Sequence, residues 1–456
     1  MNDSHHETDE GLVRGIGTWA LGANIMNMVL GAGIFVLPGV VAAQIGPAAL
    51  IAYLVCVVIV GLVFLCYAEA GSRITRSGGS YAYVEEAFGP FAGFLTSTFL
   101  WLGYAVFSDA ALAVAMTDVI ALKLPILSQT LPRALFILAL FAFLAWINIV
   151  GLKQGVRLVI VNTIAKLVPL VLLAVVGLFF ITFDNLVIVE WPSLHHFGAA
   201  ALVLFFAFGG AETALNSSGE IHNPVKTIPR GLLLGVGGIF ILYVALQVVA
   251  QGTLGPELAN NTAAPLAAAA TVVFGSWGAQ LLLLGMIISI FGCLSGDVLN
   301  TPRVIFASAR DGLLPAVLAK VHPRYHTPHI AIVLYAAFGG VVALTGTFKQ
   351  LAVVASVSLL LVYLGVSLAV IGLRRRMGPP TAEQFRIPGG PIAPVLSSVV
   401  ILWLLSQMTA SEAIGVGALL TITVVIYVAR KAWGQSQVPE SADKHRCEQL
   451  NPLRTP

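Results

Sequence analysis

A chain of 456 residues that is 58% hydrophobic and 10% charged, with a mean hydropathy of +0.93, lacks the polar surface of a water-soluble globule. Its net charge of +3 is spread over short loops rather than gathered on one face, which excludes a nucleic-acid partner. Apolar stretches of about 20 residues, each long enough to cross a roughly 30 Å hydrocarbon core, recur from end to end. They predict an all-α polytopic protein embedded in a lipid bilayer.

In chain order, the polar start Met1 to Glu10 runs into an apolar span that continues past Val40. That is too long for a signal-peptide core, so an uncleaved cytoplasmic tail over residues 1–14 is expected. Twelve spans follow, at about Ile16–Val41, Pro47–Ser72, Phe91–Leu122, Ala134–Ile149, Leu158–Phe183, Phe197–Ser218, Ile228–Gln251, Ala279–Ala307, Pro328–Leu344, Leu351–Leu373, Ile392–Met408 and Ser411–Ala429. They form one membrane domain over residues 15–432, followed by a polar, disordered tail over 433–456. Of the 24 Lys and Arg residues, Lys123, Arg133 and Lys349 fall on one side and Lys166 lies inside a span. The other twenty lie opposite, so the positive-inside rule puts both termini in the cytoplasm of a cell-membrane protein. The four cysteines, Cys56, Cys66, Cys293 and Cys447, show no metal-ligand spacing and predict neither disulfides nor a metal.

Two spans carry glycine interruptions. Span one reads Val29-Leu-Gly-Ala-Gly-Ile-Phe35, with Asn24 and Asn27 a turn or two earlier. Span six places Gly209 and Gly210 after an aromatic run and follows them with an acid, Glu212. Adjacent glycines weaken a helix by roughly 1 kcal/mol each, and irregular backbone at membrane depth survives only inside protein or beside a cavity. Paired interruptions in two halves are the sequence mark of a secondary transporter with inverted repeats and a binding site at the breaks. Five helices is an odd number, so spans six to ten repeat spans one to five upside down, and spans eleven and twelve stand outside the repeat.

The residues at these places resemble the amino acid–polyamine–organocation (APC) superfamily. Gly31-Ala-Gly-Ile-Phe35 is similar to its first-helix motif, and Ser77-Gly-Gly-Ser-Tyr-Ala-Tyr83 with Phe88-Gly-Pro90 to its first cytoplasmic loop. The sixth-helix stretch through Asn223-Pro224 and Pro229-Arg230, and Arg303 to Pro315 at the exit of helix eight, complete the set. The resemblance covers residues from about 12 to 430. It implies a sodium-symporter-type fold and alternating-access transport of amino acids or related amines, without a cofactor.

At Gly31, Ala32 and Gly33, small residues could serve a close helix contact. The resemblance points instead to amides, exposed where the helix restarts, that bind the substrate carboxylate. It also implies that carbonyls near Val29, Phe206 and Gly209, with Ala207 in the same stretch, accept from the substrate ammonium. Phe206 takes the place of an aromatic gate, although packing alone could explain a Phe there. Glu212 reads either as an acid favoured at a helix start, by about 0.3–1 kcal/mol, or as a proton carrier.

Lys166 lies about nine residues into span five, roughly 13 Å deep, too far for easy snorkelling, so a partner inside the bundle is expected. In sodium-independent relatives a lysine on this helix fills the place of a sodium ion, so the resemblance implies transport without sodium, by proton symport or exchange. Asp297 on span eight is its expected charge partner, unless Asp297 faces the cavity and selects a cationic side chain. Where arginine/agmatine exchangers carry a tryptophan this chain has Asp297, which speaks against that activity. Ser108, and by a weaker argument Asp109, are expected to line the cavity from span three. No catalytic or nucleotide-binding motif is present. The alternatives are a cationic amino-acid or polyamine exchanger, and a non-transporting amino-acid receptor on the same scaffold.

Overall fold

Backbone amides and carbonyls inside a bilayer have no water to bond, so a spanning chain satisfies them within helices. The computed structural model describes residues 16–75, 78–150, 156–310 and 314–435, with backbone only at 156–165, 217, 219, 220, 411 and 429–435. The described residues form fifteen α-helices joined by short 3₁₀ turns, with no strand among them. The helices are α1 (Thr18–Val29), α2 (Gly33–Ile45), α3 (Ala49–Arg73), α4 (Ser80–Phe88), α5 (Pro90–Thr98), α6 (Val106–Ala121), α7 (Thr130–Val150), α8 (Val156–Gly177), α9 (Leu194–Leu204), α10 (Pro224–Leu254), α11 (Pro265–Arg310), α12 (His329–Ala343), α13 (Phe348–Met377), α14 (Ile392–Leu405) and α15 (Ala410–Gln435). Six helical runs are long and apolar enough to cross a membrane, and α9, α12 and α14 are among the shorter apolar helices. Of the expected tails, residues 1–14 and everything after Gln435 lie outside the described residues.

Local sequence explains where these helices start and stop. In α13, Thr347 and Gln350 form a reciprocal capping box. Arg374, Arg375 and Arg376 then meet the negative end of its dipole, and Gly378 at φ +75° leaves the helix. Between α5 and α6, residues Phe99–Ala105 take one π-helical turn, which rotates the side chains of span three in the middle of the bundle. Gly275, at φ +72°, breaks α11 near its start.

Two features bind the helices to one another. The first is a glycine seam. A methyl group on Gly235 of α10 would fall 2.8 Å from the Gly22 carbonyl of α1, so the two backbones touch. Ahead of this seam Ile16 pairs with Ile221 in an isolated parallel bridge, where the His222 amide donates to the Ile16 carbonyl at 3.0 Å. The second is a buried ion-pair cluster. Arg374 donates to both carboxylate oxygens of Glu69, at 2.6 and 2.5 Å, and the Ile387 amide donates to the same group at 3.0 Å. Arg73 donates to the Leu373 and Gly378 carbonyls at the end of α13.

Candidate functional site

Span one stops being helical at Leu30, whose ψ of +72° lies outside the helical region, and restarts at Gly33. The Gly31 amide turns back to the Val29 carbonyl at 2.8 Å. Among the described residues the amides of Ala32, Gly33 and Ile34 meet no acceptor. They form the positive pole of α2 and point the way a carboxylate would need.

Span six breaks opposite this point. α9 tightens into a 3₁₀ turn over Phe205–Phe208, Gly209 is extended, and Gly210 adopts φ +115°. A side chain at Gly210 would be strained, and its Cβ would fall 2.8 Å from the Met28 carbonyl. The inner piece, which Glu212 was read as starting, is a 3₁₀ helix, Thr213–Glu220. Hydroxyls of Thr213 and Ser218 bond carbonyls three residues back, at 2.5 Å each, which supports the tighter winding.

Glu212 does not line the cavity. Its carboxylate turns back to accept the Gly210 amide at 3.0 and 3.1 Å and the Tyr363 hydroxyl at 2.7 Å. The contacts are those of an acid bracing the break.

Lys166 departs from its expected pairing. It forms no ion pair with Asp297; its ammonium donates to the carbonyls of Asn27 at 2.6 Å and Leu30 at 3.3 Å. These are the carbonyls that lose helical partners where span one stops, and they supply acceptors to the buried ammonium. The Leu30 carbonyl also accepts from Ser289 of α11 at 2.8 Å, so one oxygen joins spans one, five and eight.

The two breaks face one cavity of about 370 Å³, a volume within the range of small-molecule sites. Gly31, Ala32, Gly33 and Val29 line it from span one, and Phe206 and Gly209 from span six. Ser108 and Asp297 line it too. Ala207 stands behind Gly33, its Cα 2.8 Å from where a Gly33 side chain would begin. Phe206 is buried and packs edge-on against Phe348 of α13, with ring centres 5.6 Å apart, closing that end. From there the lining continues past Tyr81 and Asn216 to the exposed Arg303.

Tyrosines are what the sequence reading missed. The Tyr243 hydroxyl of α10 sits 3.1 Å from the Val29 carbonyl and 3.0 Å from the Ala207 carbonyl, tying the two breaks together. It therefore already occupies one of the carbonyls expected to accept a substrate ammonium. A Tyr in an apolar span is indistinguishable in sequence from a packing residue.

The glycine geometry separates two substitutions. Gly31→Val adds atoms into open cavity, since a Cβ there meets Leu112 and Cys293 at ordinary distances of 3.6 and 3.7 Å. It should give a stable protein with uptake reduced at least about tenfold, the effect of 1.4 kcal/mol on binding. Gly33→Val strikes the Ala207 backbone and should lower the yield of folded protein as well. Equal thermal stability for the two variants would contradict this geometry.

Residues 16–429 match the sequence model of the amino acid permease family. The chain is 33% identical to the serine/threonine exchanger SteT of Bacillus subtilis (strain 168), over 90% of this chain and 95% of that protein. It is 29% identical to the methylthioribose transporter of the same organism, over 84% and 86% of the two chains. It is 25% identical to that organism's branched-chain amino acid permease BcaP, over 92% and 93%. With helix breaks at the matching places in two spans and a family match across nearly its whole length, this chain belongs to the amino acid permeases of the APC superfamily.

Proposed function

We propose that this membrane protein carries amino acids across the cell membrane by alternating access, without sodium, by exchange or proton symport. The observation that carries the reading is the convergence of both helix breaks on one cavity, with free amides on the span-one side. In this reading the chain has twelve spans with both termini cytoplasmic, spans one to five repeat inverted as six to ten, and the cavity reaches the cytoplasmic Arg303 face. The substrate carboxylate meets the amides of Ala32 and Gly33. Its ammonium meets carbonyls at Phe206 and Gly209, and Phe206 covers it from the far side. Lys166 holds the freed carbonyls that a sodium ion would otherwise coordinate.

Serine and threonine are the first probes, because the relative SteT is named for them. Thermal-shift screening identifies binders, since a ligand at 100 times its Kd adds about 2.7 kcal/mol. Binding should require both free ends, so the N-acetyl and the carboxamide derivatives of a bound amino acid should produce no shift. A shift as large as the parent's would reject the two-pole site. Binding without uptake into proteoliposomes would favour a receptor.

A second reading, a cationic amino-acid or polyamine exchanger, is favoured by one observation: the Asp297 carboxyl lines the cavity. Arginine, lysine and putrescine should then outcompete serine, and Asp297→Asn should abolish that preference.

A further inference from the structure

Asp109 of α6 does not line the cavity as expected, but stands behind it and meets Asp297 of α11, which does. Asp109 is fully buried, and its Oδ2 accepts from the Tyr335 hydroxyl of α12 at 2.8 Å. No donor reaches its Oδ1. The Asp297 carboxyl interacts with the Asp109 side chain. Two ionised carboxylates offer each other only acceptors and repel strongly away from water. A proton on either acid supplies the missing donor and removes one of the two charges. Asp297 is half-buried and lines the cavity, so the pair has a route to solvent.

Among the described residues no cation pairs with either acid. Tyr104 of the π turn, Tyr335 and Cys293 face the two acids as neutral groups, and Thr301 bonds Tyr335 rather than either acid. Glu212 lies on the span-six side and is held by its own donors. Lys166 approaches Cys293, but its ammonium is spent on the Asn27 and Leu30 carbonyls. Arg303 lies farther along α11, exposed at the cavity's end, and bonds the Leu299 carbonyl.

We propose that Asp109 and Asp297 share one proton, gained and lost through Asp297 on the cavity side, and that this proton is the one linked to transport. The proton comes from water, forms an O–H on one acid that donates to the other, and returns to water when the site empties. Because the acids stand on different helices, movement of α11 against α6 changes how firmly it is held.

Infrared difference spectroscopy of the full chain in lipid nanodiscs tests the site without any substrate. At neutral pH the spectrum should contain the C=O stretch of a protonated carboxylic acid. Asp109→Asn and Asp297→Asn should each abolish it, because an Asn side chain donates where the proton did and needs none. Tyr335→Phe should shift the band, and Glu212→Gln should leave it in place. Absence of the band at neutral pH, its survival in both Asn variants, or its loss in Glu212→Gln alone would overturn the assignment. The coupling arm rests on the transport reading above and uses L-serine counterflow in proteoliposomes. The ratio of acid to neutral rates should fall to unity in Asp297→Asn; an unchanged ratio would reject the link to transport. Should the unmutated protein fail to carry L-serine, that substrate is wrong, and the band still decides the proton site.

Discussion

Lys166→Ala should reduce the initial rate of amino-acid counterflow about a hundredfold, while the unmutated protein shows the same rate in sodium, potassium or choline. Hydrogen bonds to a charged donor contribute about 1.5–3 kcal/mol each, and Lys166 makes two, to Asn27 and Leu30. Losing about 3 kcal/mol from the conformation that contains them, the lower end for two such bonds, at 1.4 kcal/mol per factor of ten gives the hundredfold loss. Alanine also removes one donor from each carbonyl and leaves an empty volume beside them, although Ser289 still donates to Leu30. The sodium half follows from charge: a second cation near the Lys166 ammonium in low dielectric is repelled by several kcal/mol. Rates that depend on sodium in the unmutated protein would remove the role given to Lys166. A Lys166→Ala variant with normal counterflow would show that the carbonyls need no cation.

The largest loss of stability is expected at Glu69. This carboxylate is fully buried and takes two bonds from Arg374 and one from the Ile387 amide. Arg73 stands 4.0 Å away, its side chain almost fully buried. Removing one partner of a buried pair strands the other, at a cost of about 3–5 kcal/mol. Glu69→Ala strands two guanidinium groups between α3, α13 and the 378–391 loop. Its unfolding free energy, followed by denaturant titration in mixed micelles, should fall by that amount. The double variant Glu69→Ala/Arg374→Met should recover part of it, because the stranded cation is gone. A single variant as stable as the parent would mean that the cluster is solvated and contributes nothing.

The positions of both breaks were legible in the sequence because their glycines stand with further signals, a family motif in span one and an acid in span six. Glycine pairs alone do not suffice, since Gly237-Gly238 and Gly339-Gly340 stay helical in α10 and α12. Val29-Leu-Gly-Ala-Gly and Phe-Gly-Gly-Ala-Glu both border one cavity, which Ser108 and Phe206 also line, and Asp297 lines it where pairing with Lys166 was the first expectation. Partners were not legible. A buried lysine demands oxygen atoms, but sequence cannot say whether a carboxylate or freed carbonyls supply them, and Lys166 took the carbonyls. Glu69 and Arg374 are 305 residues apart, and each reads alone as an unremarkable charge at a helix end. Asp109 and Asp297 drew separate interpretations because nothing along the chain shows α6 and α11 meeting. The 3₁₀ winding after Glu212 was hidden for a different reason. It depends on which carbonyls the Thr213 and Ser218 hydroxyls choose, and both options look alike in sequence.

The seam between α1 and α10 has a mechanical consequence. A segment joined to its neighbour by touching backbones at Gly22 and Gly235, and pinned again by the Ile16–Ile221 bridge, is no free cantilever. Bending α1 alone would tear the seam along its length, whereas swinging α1 and α10 as one stiff plate leaves it intact. The non-helical residues at 30–32 and 209–212 then lie where the plate meets the rest of the bundle, held by Tyr243 and Glu212. Any push or pull on the plate is delivered to the residues that line the cavity.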